Sequence, residues 1–298
     1  MKQATYTIEF LTPCFCAGAD QSHAEIRAPA IRGQLRWWFR ALGGSAPEER
    51  DVFGGIGSAT ASRLIIRTLK LTDGPKWDPP RVDPNATASY VWYFASVSGK
   101  EPRQRGTGPR WQPSAALAPG SRFRLDIIQR IRLIDSVQAM LDQSIDCFLS
   151  FGSLGLRVTR GLGAFNCIER PLDTQRFNYL KQVLSAAGFC LEHSSEPSLH
   201  DVASIARRIG SLVKGTRKAK NLKAERPSPF GGSQPRQTSA IIFRPFRPAG
   251  KDHFELLVLE APHNKILGPP SRTPEPIVGR IPSELTAFDP TNSTRRHR

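Results

Sequence analysis

The chain opens on a two-residue period. Across residues 4–11 (ATYTIEFL), Tyr6, Ile8 and Phe10 fall on one face, the pattern of a strand with one side in the core. A polar loop, 18–29, separates this strand from a longer period. From Pro29 onward, Ile31, Leu35, Trp38 and Leu42 recur at helical spacing until Gly43-Gly44, a fitting stop. Alternation returns at 62–71 (SRLIIRTLKL) and at 122–132 (RFRLDIIQRIR), and both runs read as strands. Asp135 suits the cap or first turn of a helix reaching about Phe151. A glycine-rich loop and a short strand at 164–169 follow.

The order strand, helix, strand, strand, helix, strand predicts an α+β, ferredoxin-like (RRM-like) βαββαβ unit over 1–170. An insertion at about 73–120, broken by eight prolines, divides its middle strands and holds one strand-like run, Tyr90 to Val97. Beyond 171 the pattern predicts helices at Thr174–Ala187 and Ser198–Val213, then strands at Ser239–Pro248 and His253–Glu260. These make a second, less complete α+β unit spanning 171–262. The tail, 263–298, is Pro-rich and expected to be irregular, with its last ten residues disordered.

Charge adds what periodicity leaves open. The 42 Lys and Arg residues against 26 Asp and Glu give a net charge of +16, which attracts a polyanion: nucleic acid, anionic lipid or an acidic protein. No apolar run approaches the roughly 18 residues of a membrane span, and the amino end reads as a strand instead of a signal peptide. The five cysteines have no regular spacing, so reduced thiols in a cytoplasm are expected, with no zinc site and no cofactor.

The densest chemistry lies on the first helix. Arg32, Arg36 and Arg40 recur at i, i+4 and i+8 and form a guanidinium ridge opposite the apolar stripe, with Arg27 just ahead. Trp38 and Phe39 read as core. Trp37 lies between the faces, placed either to stack on a base or to pack on the insertion. Gly33 costs a helix about 1 kcal/mol relative to alanine. Its presence suggests a close backbone approach by a ligand or another chain. The second candidate is the loop 152–163 (GSLGLRVTRGLG). Its glycines, among them Gly155, Gly161 and Gly163, free the backbone to turn N–H groups toward an anion, while Arg157 and Arg160 supply charge. It matches neither a Walker loop nor a dinucleotide fingerprint. The run Arg207 to Arg226, with eight Lys or Arg and one acid, adds a solvated segment able to touch phosphate. So do Lys100, Arg103, Arg105 and Arg110, beside Trp92 and Trp111 in the insertion.

The stretches GADQ (18–21), IRAPAIRGQLRWWFRAL (26–42) and GSLGLRVTRGLGAF (152–165) resemble the RAMP superfamily of CRISPR proteins. Within it, the similarity is to the first-subunit family of the type III-B Cmr effector. The segment from Pro227 and the run from Ala240 look like that family's later motif. Ala30 stands where the family usually has Ser, and Val158-Thr159 replace part of its basic run. The resemblance implies two ferredoxin-like units and a non-catalytic, RNA-binding role. It implies contact with CRISPR RNA near its 3′ end or with target RNA, and assembly with other Cmr/RAMP subunits.

A second reading keeps an enzyme in view. A backbone subunit of such complexes cuts RNA with an Asp in its first loop, and Asp20, near His23, is the counterpart by position. The remaining histidines form no metal pattern, and no basic amphipathic stretch has the broad apolar face of a membrane-surface protein.

Overall fold

A computed structural model describes residues 1–20, 23–55, 60–77, 87–92, 116–219, 229–233, 236–248 and 250–262. The first half contains, in order, β1 (Lys2–Phe10), β2 (Cys14–Phe15), α1 (Ala28–Ala41), α2 (Ala46–Phe53), β3 (Leu64–Thr72) and α3 (Ser89–Trp92). It continues with β4 (Ala116–Leu117), β5 (Arg122–Gln129), α4 (Asp135–Phe151) and β6 (Phe165–Cys167). After these come α5 (Thr174–Ala186), β7 (Cys190–Leu199), α6 (Val202–Ala219), β8 (Gly232–Ser233), β9 (Arg236–Gln237), β10 (Ile241–Phe246) and β11 (Phe254–Glu260).

Four strands form an antiparallel sheet in the order β3-β5-β1-β6. With α1 after β1 and α4 after β5, this is the βαββαβ arrangement that the alternating runs predict. The register sets Tyr6 opposite Leu125 and Ile8 opposite Phe123. These side chains are buried beneath Ile31, Leu35 and Trp38 of α1 and Leu141 and Phe148 of α4. Asp135 lies in the first turn of α4, where a negative charge suits the exposed N–H groups.

In the second sheet, β10-β11-β7, the central strand β11 is buried on both faces. Leu257 and Leu259 of β11 join the core of the first sheet, whereas Leu256 and Val258 pack with Ile205, Ile209, Leu212 and Val213 of α6. A strand covered on both sides reads as an unbroken apolar run, which explains FELLVLE.

Several elements differ from the sequence reading. Tyr90 opens no strand: Ser89–Trp92 is a helical turn, whose Val91 and Trp92 pack on α6 and Phe15. The rest of that run, 93–97, lies outside the described residues, as do most of the insertion, residues 220–226 of the basic run, and the tail. Helix α2 was not anticipated, although Ser45 and Glu48 form a reciprocal capping box at its start and Pro47 sits in its first turn. Strand β7 was missed too, and it extends to Leu199, so α6 begins at Val202. Among the described residues, no helix is long and apolar enough to cross a membrane.

Candidate nucleic-acid interface

Helix α1 begins with Arg27 in extended conformation and a proline in the first turn, without a side-chain cap. Its stability comes from the buried stripe, Ile31, Leu35, Trp38 and Phe39, each such side chain contributing about 1.5–3 kcal/mol. The same packing turns Arg27, Pro29, Ala30, Gly33 and Arg40 outward and leaves Arg32, Arg36 and Trp37 half-buried. Trp37 meets Trp38 edge-on at 4.9 Å and Phe189 at 6.2 Å, so it anchors the turn before β7.

The unanticipated α2 supplies the ridge's acid. Glu49 is buried and accepts from Arg36 Nε at 2.6 Å, while Arg40 Nε lies 3.5 Å from its other oxygen. One carboxylate thus faces a ridge of three guanidiniums. The Arg36 and Arg40 side chains remain 38% and 57% exposed, so the pairing orients them without hiding them. Arg32 Nε is buried with no hydrogen-bond partner among the described residues. A Cβ built on Gly33 meets nothing within 4 Å. The chain's own packing therefore gives no reason for a glycine there.

The glycine loop is built differently. It is laced to the segment 12–15: Thr12 Oγ1 donates to Gly161 O at 2.8 Å and accepts from Ala164 N at 2.9 Å. Gly163 N donates to Pro13 O, and Leu156 N to Phe15 O. Gly155 and Gly163 have positive φ, and a Cβ would lie 2.5 Å from Phe15 O at Gly155 and 1.7 Å from Leu154 O at Gly163. These glycines serve close intramolecular packing, so several of the N–H groups expected to face an anion are already used.

Arg160 requires a larger correction. It is 3% exposed, and its guanidinium donates to Tyr90 Oη, Thr159 O, Ser239 Oγ, Ile241 O and Phe230 O. Burial lowers its pKa, Tyr90 opposes that shift, and Arg157 and Arg217 add to it. Arg160 is a clamp on its own chain, fastening the loop to β10. Arg157, in left-handed conformation at φ 60°, stays half-exposed, lies 5.2 Å from the Tyr90 ring centre and donates to Tyr90 O. Arg36 and Arg40 therefore converge on Glu49 and the loop arginines on Tyr90.

Arg244 is a structural residue that sequence reasoning overlooked. It is fully buried, with its pKa lowered by burial to about 9, and donates to Phe165 O, joining the second sheet to the first. Its position inside IIFRPF offered a lone cation in an apolar run, within the stretch that resembles the family's later motif.

Other candidate surfaces are less suited to a ligand. The face of the first sheet away from its helices carries Gln3, Thr5, Thr7 and Glu9 on β1 opposite Ile128, Asp126, Arg124 and Arg122 on β5. It has no aromatic on these central strands and is crossed by Arg122–Glu9 and Arg124–Asp126 pairs, so it lacks the stacking platform of an RRM. Asp20 and His23 pair at 2.9 Å but are 67% and 82% exposed. Among the described residues, no cluster of His, Cys, Asp or Glu is suited to a metal. Cys14 and Cys16 are free thiols 3.4 Å apart, and burial pushes Cys14 well above its ordinary pKa.

Known proteins share this architecture. The family model for the RAMP superfamily matches residues 7–166. The CRISPR system Cmr subunit Cmr1-1 of Pyrococcus furiosus is 27% identical over 208 residues, 62% of this chain and 55% of the relative. The matched stretch thus spans about half of that relative's length. The crystal structure of Cmr1 from Pyrococcus furiosus in its apo form has a TM-score of 0.60 at 19% identity, covering 96% of each chain. A chain in the cryo-EM structure of the Type III-B Cmr-beta bound to cognate target RNA and AMPPnP (state 2, in the presence of ssDNA) gives 0.58 at 10% identity, covering 95% and 98%. At these identities the structural likeness establishes the fold. With a family match over more than half of its length, the chain belongs to the RAMP superfamily.

Proposed function

We propose that this chain is a non-catalytic, RNA-binding subunit of a type III-B Cmr ribonucleoprotein effector in antiviral defence. It contacts CRISPR RNA near its 3′ end, the target RNA, or both, and assembles with other Cmr/RAMP subunits. Two α+β units, 1–170 and 171–262, present the interface. The observation that carries this reading is the outer face of α1: exposed or half-exposed arginines surround Gly33, which faces open space. A phosphodiester backbone laid there supplies negative charge beyond the single Glu49 carboxylate that Arg36 and Arg40 share, and glycine permits its close approach. Such contacts read backbone and shape, leaving sequence to base pairing. The names of the relatives and solved neighbours, Cmr subunits and a Cmr complex bound to target RNA, support the same assignment.

The test is anisotropy of a fluorescein-labelled oligouridine with the full chain across a salt series. Wild type should bind with steep salt dependence. The double reversal Arg36→Glu with Arg40→Glu should weaken binding by about tenfold or more. Unchanged affinity in a folded variant removes α1 from the interface. The RNA should also stay intact during incubation. Cleavage that Asp20→Ala abolishes would replace this reading with that of a ribonuclease.

A further inference from the structure

The first sheet and α4 leave a space between them. On the sheet face that packs against the helices, the register sets Lys2 opposite Gln129 and Ala4 opposite Ile127. Ala4 stands beside the far larger Tyr6 and Ile127, and it fills too little of the layer beneath α4. Leu141 and Ile145, four residues apart on one face of α4, close the far side. The result is a cavity of about 320 Å³, at the lower end of the ~300–1,000 Å³ of ligand sites. Exposed Lys2 and Asp142, which pair at 3.6 Å, mark its mouth.

Two polar side chains that line this cavity are more than nine-tenths buried. Tyr6 is 7% exposed, and its hydroxyl makes no hydrogen bond among the described residues. Burial pushes its pKa up against the opposing pull of Arg170, so at neutral pH the hydroxyl keeps a hydrogen to donate. Gln129, 8% exposed, spends both amide hydrogens, on Ile131 O at 3.0 Å and Gln138 Oε1 at 2.6 Å. That fixes the amide's orientation and leaves its carbonyl oxygen to accept. The lining cations are already matched, Lys2 by Asp142 and Arg170 by Asp146. The cavity therefore suits an uncharged occupant with at least one donor for Gln129 and one acceptor for Tyr6. Aliphatic side chains on opposing walls, from the sheet and from α4, suit the two faces of a flat ring.

We propose that this cavity is a nucleobase pocket, taking adenine or cytosine between Ile127 of the sheet and Ile145 of α4. The exocyclic amine donates to Gln129 Oε1, and the Tyr6 hydroxyl donates to the adjacent ring nitrogen. Uracil presents a carbonyl in place of that amine and sets oxygen against oxygen at Gln129. The base arrives unstacked from a single strand of RNA or as a free nucleoside, and both offer the same edge. The inference goes beyond the α1 interface, where backbone contacts ignore base identity. It stands on the cavity alone, whether or not RNA crosses α1.

Saturation-transfer NMR titrations of the full chain with adenosine, cytidine and uridine test the pocket. Adenosine and cytidine should bind with affinity that salt leaves unchanged, because a neutral ligand releases no counterions. Uridine should bind about fivefold more weakly or worse. Tyr6→Phe, which removes only the hydroxyl, should weaken adenosine about three- to tenfold. Ala4→Leu, which fills the cavity, should abolish its binding. Thermal unfolding is recorded for each variant, and if Ala4→Leu fails to fold, Tyr6→Phe decides. Wild-type affinity for adenosine in either folded variant overturns the site, and equal binding of uridine overturns the choice of base. The anisotropy assay distinguishes the sources. A base carried by RNA makes oligoadenylate bind more tightly than oligouridine, and Ala4→Leu removes the difference. Equal oligonucleotide affinities with adenosine still bound assign the pocket to a free nucleoside. Loss of both signals, no adenosine binding and no oligoadenylate preference, overturns the pocket and leaves the α1 interface standing.

Discussion

Helix α1 and the glycine loop present similar composition, arginines interleaved with glycine and apolar residues, yet they use it in opposite ways. On α1 the apolar stripe goes into the core and the arginines stay at the surface, oriented by one buried acid. In the loop the glycines close-pack against segment 12–15, and Arg160 goes inside to hold the Phe230 and Ile241 carbonyls and the Ser239 and Tyr90 hydroxyls. An arginine's role is set by what its neighbours in space have left unsatisfied. A carbonyl-rich seam recruits it as a structural donor, whereas an exposed helix face leaves it for an anion.

The strongest test of this contrast is Arg160→Gln. Several buried acceptors lose a donor, each costing about 1–3 kcal/mol, so stability should fall by about 3 kcal/mol or more. The unfolding midpoint should drop on the order of 10 °C. Denaturant titration reads the loss directly. RNA affinity of the folded protein should fall no more than about threefold, since Arg160 is enclosed and spends its donors on its own chain. A large affinity loss at wild-type stability would reverse the roles assigned to loop and helix.

The sequence made most of the first sheet and its helices readable because these strands are buried on one face and the helices are amphipathic, so period alone separates them. It showed less of the second sheet. β7, CLEHSSEPSL, is polar through its middle and carries no alternation to detect. α2 was announced by Ser45, Pro47 and Glu48, but its eight residues offer too short a stripe for periodicity, and with it Glu49 went unnoticed as the partner of Arg36. The fate of Arg160 was hidden for a different reason. Its acceptors, at Phe230, Ser239 and Ile241, lie 70 to 81 residues away, so only tertiary structure shows that it is enclosed.

Glu49 gives the next largest effect. Glu49→Gln removes a charge-assisted acceptor from Arg36 and Arg40, and stability should fall by about 1–2 kcal/mol. The ridge then gains one net positive charge on an exposed face. Oligouridine affinity should rise about two- to threefold with a steeper salt slope, measured where both proteins are fully folded. Equal losses of stability and affinity would mean that Glu49 holds the arginines in their binding geometry, so orientation would outweigh charge on α1.

The smallest expected change is the most discriminating for the helix. Gly33→Ala places a methyl where nothing lies within 4 Å, in an ordinary helical turn. Helix propensity and the reduced freedom of the unfolded chain should stabilise the fold by about 0.5–1 kcal/mol. If a phosphate backbone crosses α1 at this point, the same methyl should weaken RNA binding about three- to fivefold. A rise in the unfolding midpoint with unchanged affinity would put the RNA path elsewhere on the ridge, toward Arg36 and Arg40. A rise in one quantity with a fall in the other would mean that the glycine serves the ligand at the expense of the fold, the reverse of Gly155 and Gly163.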